Sequence, residues 1–383
     1  MRFPSHTMTD RIVVAVRMRP FNSREKGMGA ERCIEMTKST RQTVITDPSD
    51  ENKKHRFTFD FSYSSFDPAD PEYCSQQMVW EDIGVSCLTN AYEGYNVSLF
   101  AYGQTGSGKS YSMMGYPATP LNPGSGIIPI ACTKIFDRIT DNTDPDWSAR
   151  VEMSMLEIYM EKIKDLFAPT AGHRKLRVHP AKGPYVEGLT TAVVKNFEDV
   201  EKLMEQGTAA RTVAATNMNA TSSRAHTIFQ IVLTQTKIDR ETAKASDTVS
   251  VINLIDLAGS ERAGSTGATG DRLKEGAAIN QSLSALGNVI STLAKNSSAK
   301  KKTRVPYRDS VLTTLLMNAL GGNAKTVMIA ALSPASVNYD ETLSTLRYAD
   351  RAKQIKNKAV KNEDPNMALI AALKAEIEQL RAT

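Results

Sequence analysis

The chain predicts an α/β fold with a wound, mixed sheet, and three observations carry that expectation. Short apolar runs rich in branched residues alternate with segments whose apolar residues recur every three and four positions. Two of the runs are separated by a polar stretch with no helical pattern, and one run ends in a glycine-rich loop. Composition agrees, since 41% hydrophobic and 23% charged residues over 383 positions argue against a disordered, collagen-like or coiled-coil chain.

Taken in order, residues 11–18 (RIVVAVRM) read as a strand, 79–91 as a helix, and 97–102 (VSLFAY) and 151–156 as strands. A helical pattern covers 197–206. The runs 228–235 and 249–257 predict an antiparallel hairpin inside an otherwise wound sheet. In 279–293, Leu283, Leu286, Ile290 and Leu293 fall on one helical face. A strand at 326–332 precedes a helix at 339–355, whose start offers Asn338 and Glu341 as a capping box. Residues 356–364 turn polar and basic and end at Pro365, an extended linker. Beyond it Ile370, Leu373, Ile377 and Leu380 mark a helix, either the start of a coiled coil or a helix docked on its own domain. Stable pairing takes three or four heptads, and barely two are present. The expected division is a tail at 1–10, a main domain at 11–356, a linker at 357–364 and the start of a helix at 365–383.

Net charge is +5, and residues 295–304 (KNSSAKKKTR) hold five cations and no acid, so one loop equals the whole excess and wants an acidic partner. Cys33, Cys74, Cys87 and Cys132 form no CxxC pair and are too sparse to staple the chain, which suggests a reducing compartment and no zinc. No apolar run approaches the roughly 18 residues of a membrane span, and no signal-peptide core opens the chain. A cytosolic protein is expected, with no nucleic-acid partner and no membrane insertion.

Gly103-Gln104-Thr105-Gly106-Ser107-Gly108-Lys109-Ser110 fits GxxxxGK[ST] and follows the strand ending at Tyr102. Glycines let backbone N–H groups curl toward phosphate oxygens, and the next helix adds its positive end. Lys109 is expected to reach the β- and γ-phosphates and Ser110 to hold Mg²⁺. Asp256-Leu-Ala-Gly259-Ser-Glu261 closes another strand, where DxxG senses the γ-phosphate: the carboxylate through Mg²⁺ and its water, the glycine N–H directly. Thr236-Lys-Ile-Asp239 resembles the guanine-reading element of G proteins, but it precedes DxxG and falls inside the hairpin. It is read as a solvated turn, which favours adenine over guanine.

Asn217-Met-Asn-Ala-Thr-Ser222-Ser223-Arg224-Ala225-His226 resembles the NxxSSRSH switch of kinesins. With GQTGSGKS and DLAGSER it forms a three-part signature, and the chain is similar to a kinesin motor domain over residues 11–383. The resemblance implies a P-loop NTPase-like motor fold with a central mixed eight-stranded sheet flanked by helices on both faces. It also implies a microtubule-stimulated, Mg-dependent ATPase moving toward microtubule plus ends.

By that resemblance Arg17, Arg19 and Pro20 line the adenine and ribose side and Tyr73 stacks on the base, with Tyr111 completing the nucleotide site; the plainer reading of Tyr73 is a half-buried aromatic. Ser222 and Ser223 approach Mg²⁺, the γ-phosphate and the attacking water. Arg224 and Glu261 pair across the closed site, with Glu261 relaying a proton. Ala225 departs from the family's serine; the milder consequence, one lost hydrogen bond worth about 0.5–1.5 kcal/mol, is expected.

On the track side the resemblance gives Arg308 of Tyr307-Arg-Asp-Ser310, Lys182 and, as a weaker candidate, His179. A relay helix at 279–293 follows a mobile loop at 263–276. Lys300, Lys301, Lys302 and Arg304 sit where the third kinesin class, the organelle-transport motors, carries a lysine-rich loop; this is an electrostatic tether or simply a soluble basic loop. NSREK at 22–26 and NEDPN at 362–366 point to the same class. Residues 356–364 match the neck linker, with Ile355 entering a pocket and Asn357 and Asn362 pinning the docked strand. Homodimerisation through the neck helix is expected. The rivals are a depolymerase, a non-catalytic microtubule-binding module and a GTPase switch.

Overall fold

A computed structural model describes residues 11–116, 121–180, 183–218, 222–240, 244–261 and 271–362. Fourteen strands and nine α-helices are defined among them. The chain begins with β1 (Val13–Met18), then the short helix α1 (Ser23–Gly27) and a small antiparallel sheet of β2 (Ile34–Thr37), β3 (Gln42–Asp47) and β4 (Asp50–Thr58). β5 (Phe61–Ser64) returns to the main sheet. A continuous helical stretch follows, α2 (Gln76–Val79), a π-helical turn at Trp80–Gly84, and α3 (Val85–Tyr92), and leads into β6 (Val97–Tyr102).

α4 (Lys109–Met113) and α5 (Ile127–Thr140) precede the antiparallel strands β7 (Trp147–Tyr159), β8 (Lys162–Asp165), β9 (His173–His179), β10 (Gly183–Glu187) and β11 (Ala192–Val194). After α6 (Phe197–Met218) come β12 (His226–Asp239), β13 (Lys244–Asp256), α7 (Asp271–Ser298), α8 (Val311–Leu315), β14 (Lys325–Leu332) and α9 (Tyr339–Ala352).

The main sheet has eleven strands rather than the expected eight, in the order β10-β9-β8-β7-β12-β13-β6-β14-β1-β5, with β11 on the free edge of β7. The additional strands are short and polar, and they add on at the β7 side, where alternation with solvent leaves little hydrophobic signal. The sheet is mixed as predicted: β13, β6, β14, β1 and β5 run parallel, while β12 pairs antiparallel with both β13 and β7. Residues 236–239 are the last residues of β12, paired with β13 from Thr236 opposite Asp247 to Asp239 opposite Lys244, so the solvated turn expected there is a strand of the extended hairpin instead.

Two apolar layers close the sheet. On one face Phe100, Met328 and Val16 pack under Leu286, Val289 and Ile290 of α7 and Leu346 of α9. On the other, Leu99, Ile329 and Ile252 meet Ile128 and Ile135 of α5. Every residue of β14 and β6 is buried, which is why these strands read as unbroken apolar runs rather than alternating ones. At about 1.5–3 kcal/mol per buried aliphatic or aromatic side chain, this double layer is the main stabilising term.

Several boundaries differ from the sequence expectation. α6 runs to Met218 and α7 begins at Asp271, so the last residues of the expected mobile loop are helical. α5 and the small β2–β4 sheet have no counterpart in the sequence reading. α9 ends at Ala352, and Ile355 lies beyond it. The Asn338–Glu341 capping box does not form; Asn338 instead donates to Glu25 Oε1 (2.9 Å) and Ser333 Oγ (3.0 Å). A capping box does form at Asn22 and Glu25 of α1, within the NSREK segment. Residues 365–383, with the expected neck helix, lie outside the described residues.

Candidate nucleotide site and linker groove

The parallel strands decide where the site forms. β6 lies between β13 and β14, so the loop after Tyr102, the turn after Asp256 and the ends of β14 and β1 emerge on one edge. In register Asp256 faces Ala101, two residues before the glycine-rich loop. Carboxyl ends of parallel strands are where open α/β sheets hold ligands.

The loop needs its glycines. At Gly103 φ is +146°, and a Cβ there would come 2.3 Å from the Ala331 carbonyl. Gly108, at φ +103°, turns the chain into α4. Lys109 is buried, its Nζ donating to the Gly103 and Gln104 carbonyls at 2.9 Å each, and burial lowers its pKa against the raising pull of Asp256 and Glu261. Arg19 buttresses the loop from behind: Nε donates to the Gly106 carbonyl (2.5 Å) while its guanidinium pairs bidentately with Glu25 (2.7 Å each). Among the described residues, Gln104 Oε1 and Ser107 Oγ are buried without a hydrogen-bond partner.

Ser110 Oγ donates to Asp256 Oδ2 (2.5 Å), and Asp256 Oδ1 is buried and likewise without a partner among the described residues. Burial raises the Asp256 pKa, opposed by Ser110, Lys109 and Arg211. A hydroxyl beside a carboxylate with one oxygen to spare is a hard-oxygen donor set that fits Mg²⁺, which takes one or two protein ligands and completes its shell with water and phosphate. Among the described residues no group of three or more acidic, His or Cys side chains is placed to hold a metal ion.

The two switch segments meet at this edge. The Gly259 N–H donates to the Ser223 carbonyl (2.9 Å) and the Ser260 N–H to the Gly103 carbonyl (3.1 Å). Glu261 accepts from the Thr105 N–H through Oε2 (2.7 Å) and from the Thr105 hydroxyl through Oε1 (2.5 Å). Both Glu261 oxygens therefore hold the phosphate loop in this structure, whereas the sequence expectation paired them with Arg224. The Gly259 N–H, expected to face a phosphate, is held by Ser223. These residues are in place, in an arrangement that differs from the expected closed site. Ser222 opens a 3₁₀ turn through Arg224, and its side chain lies outside the described set. Ala225 is buried.

A cavity of about 1140 Å³ opens beside the loop, bordered by Arg19, Pro20, Tyr73, Gly108, Ser110 and Tyr111. Arg17 also borders it, but its guanidinium is anchored below the surface by Ser65 (3.0 Å), Ser112 (3.1 Å) and Gln76, and it lies over the Tyr111 ring. It supports this wall of the cavity from underneath. Two contributors escaped the sequence reading. Arg211 of α6 bonds Thr227 Oγ1 (3.3 Å) and biases Asp256; no motif marks it. Glu25 was detectable from the Asn-x-x-Glu spacing of its capping box.

On the far side of the sheet Lys300, Lys301, Lys302, Arg304 and Arg308 are all exposed between α7 and α8. Asn296 closes the basic loop by bonding the Thr303 backbone at both ends (2.8 and 2.9 Å). Ser310 caps α8, accepting from the Thr313 N–H (3.1 Å). Lys182 and residues 262–270 lie outside the described residues.

Residues 356–362 run past the start of β14 and on to β13, the Lys358 N–H donating to the Gly322 carbonyl (2.9 Å). Ile355 is fully buried and its carbonyl accepts from the Ile12 N–H (3.0 Å). Asn357 donates to the Ala319 and Ala324 carbonyls (2.9 and 2.7 Å) and accepts from the Gly321 N–H (2.8 Å). Asn362 donates to Asn96 Oδ1 and the Val249 carbonyl (2.9 Å each), and its N–H to the Gly94 carbonyl (2.9 Å).

Residues 17–355 match the kinesin motor domain family. The chain belongs to that family. It is 54% identical to Kinesin-related protein 1 of Dictyostelium discoideum and 53% identical both to Kinesin-like protein KIF1A of Rattus norvegicus and to Kinesin-like protein unc-104 of Caenorhabditis elegans, in each case over 97% of its length. It spans 17%, 22% and 23% of those relatives, about a fifth of their length. A KIF14 dimer in the two-heads-bound state, with AMP-PNP and in complex with a microtubule, superposes with a TM-score of 0.85 at 44% identity, covering 95% of this kinesin chain and 99% of that one. A fast kinesin superposes at 0.83 and 39% identity, covering 94% and 96%. The similarity to KIF1A and unc-104 agrees with the class suggested by the basic loop and by NSREK.

Proposed function

We propose that this kinesin motor domain is a microtubule-stimulated ATPase that converts hydrolysis into plus-end-directed movement along the microtubule cytoskeleton, in the service of organelle or vesicle transport. The observation that carries the reading is the meeting of three segments at one sheet edge: the phosphate loop, the Ser222–Arg224 turn and the Asp256–Glu261 turn, joined by Gly259 N–H to Ser223 and Glu261 to Thr105. A γ-phosphate entering this edge competes for the Gly259 N–H and for the loop amide that Glu261 now holds.

Phosphoryl transfer demands placement of water and stabilisation of spread charge more than covalent help. Lys109 leaves its carbonyl partners to meet the β- and γ-oxygens, and Ser110 and Asp256 are the residues that would hold Mg²⁺. Mg²⁺, when held there, would supply positive charge that offsets the charge developing on the phosphate oxygens. Ser222 and Ser223 orient the attacking water, and Glu261, released from Thr105, pairs with Arg224 and accepts the water's proton. Tyr73 and Tyr111 hold the base, with Arg19 and Pro20 on the ribose side.

The exposed cations at 300–304, Arg308 and Lys182 meet the acidic face of tubulin. Residues 357–364 are the linker, and the buried Ile355 and Asn357, with the half-buried Asn362, latch it against the sheet. Dimerisation through the helix after Pro365 completes the reading. ATP turnover measured with and without microtubules tests it: several-fold stimulation is expected, and its absence sinks the motor function in favour of a passive binding module.

A further inference from the structure

His226 opens β12, three residues beyond Ser223, and is 3% exposed. Both of its ring nitrogens are engaged. Nδ1 accepts the Ala258 N–H at 3.0 Å, and because a backbone amide can only donate, Nδ1 carries no proton. The proton sits on Nε2, which lies 2.9 Å from Ser282 Oγ and donates to it. The tautomer follows from the chemistry of the partner. Burial, and Lys109 after it, push the imidazole pKa down to about 3, so the ring is neutral at working pH.

The two partners belong to different moving parts. Ala258 lies between Asp256 and Gly259, in the turn that carries the metal-facing carboxylate and the glycine held by Ser223. Ser282 lies on α7, whose packed face, Leu286, Val289 and Ile290, rides on the sheet and whose end leads into the basic loop. A neutral imidazole with both nitrogens occupied is a strut of fixed length. Since a buried imidazole nitrogen without its bond is costly, a displacement of the Ala258–Gly259 turn carries Ser282 with it through the ring.

We propose that His226 is a positioning residue that couples the Ala258–Gly259 turn to α7 through Ser282, so that track binding at one end of α7 sets the geometry of the nucleotide edge at the other. The inference rests on the motor function proposed above and assigns its coupling to one side chain.

The test uses the different shapes of amide replacements in the full chain. In His226→Asn the carboxamide oxygen falls near the Nδ1 position, keeping the acceptor for Ala258 and deleting the donor to Ser282. Ser282→Ala cuts the same bond from the other end, and His226→Gln places an amide nitrogen near Nε2, keeping the bond to Ser282 and deleting the acceptor. Expected are a loss of about tenfold in microtubule-saturated turnover for His226→Asn and for Ser282→Ala. Microtubule-free turnover of Ser282→Ala should stay within about twofold, and the double variant should be no worse than either single one. His226→Gln should lower microtubule-free turnover as well, because the Ala258 turn loses its support.

Equal losses with and without microtubules, an unchanged stimulation ratio, or multiplicative losses in the double variant would overturn the coupling role and leave His226 a packing residue. Should His226→Asn fail to fold, Ser282→Ala, which removes one oxygen, carries the same comparison. The wild type separates the two claims: no stimulation there ends the motor function itself, whereas stimulation retained by the variants ends only the coupling.

Discussion

Glu261 shows how one side chain serves two arrangements. Its carboxylate holds the Thr105 amide and hydroxyl here, and in the proposed closed site it turns to Arg224 and the attacking water. Glu261→Ala should therefore bind ATP yet lose roughly 10²-fold or more in single-turnover hydrolysis, the usual span of a positioned acid–base group; a normal single-turnover rate refutes the role. His226 makes an independent residue-scale statement about stability. Its folded pKa is depressed to about 3 while the unfolded ring titrates near 6.5, so between those values the unfolded chain holds a proton that the folded chain excludes. Its contribution is full above pH 6.5 and is lost as pH falls toward 3, by about 1.4 kcal/mol per pH unit. Denaturant unfolding at several pH values should show the stability gap between wild type and His226→Gln narrowing as pH drops through this window; a gap independent of pH contradicts the assignment.

At the scale of elements, α7 matters most, because it packs on the sheet through Leu286, Val289 and Ile290 and delivers the basic loop to the surface. Its apolar spacing was legible, but its start at Asp271 was not, since residues 263–276 are rich in glycine and serine and tertiary context decides how far such a helix extends. The cations at 300–302 are exposed, so their pull on an acidic track acts through solvent and is screened over about 10 Å at 0.1 M salt. Replacing Lys300, Lys301 and Lys302 together by alanine should weaken microtubule affinity chiefly at low ionic strength. Cosedimentation across a salt series checks this, and an equal loss at every salt concentration removes the tether.

Across the whole molecule the nucleotide edge and the linker groove are joined by the same sheet: β14 borders the phosphate loop near Ala331 and carries Asn357's partner Thr326 at its other end. Asn357 makes four hydrogen bonds in a buried groove. Asn357→Ala leaves several of those groups unpaired at about 1–3 kcal/mol, enough to free the linker. A spin label placed beyond residue 357 should then be mobile with both ADP and a non-hydrolysable ATP analogue on microtubules, whereas in the wild type the analogue should immobilise it. Immobilisation in the variant counts against Asn357 as the latch.

By itself the sequence determined the motifs of the site and the class of fold. A phosphate loop, a DxxG turn and an SSRxH segment are local patterns, and doubly buried strands such as β6 and β14 advertise themselves as apolar runs. The short polar strands β8 to β11 left no such trace, because exposed edges alternate weakly. Partnerships over long separations were decided only by the tertiary structure: Glu25 with Asn338, Glu261 with Thr105, Arg211 beside Asp256, and His226 between Ala258 and Ser282. A buried polar group must be satisfied by whatever the fold brings within about 3 Å, and distance along the chain carries no information about that.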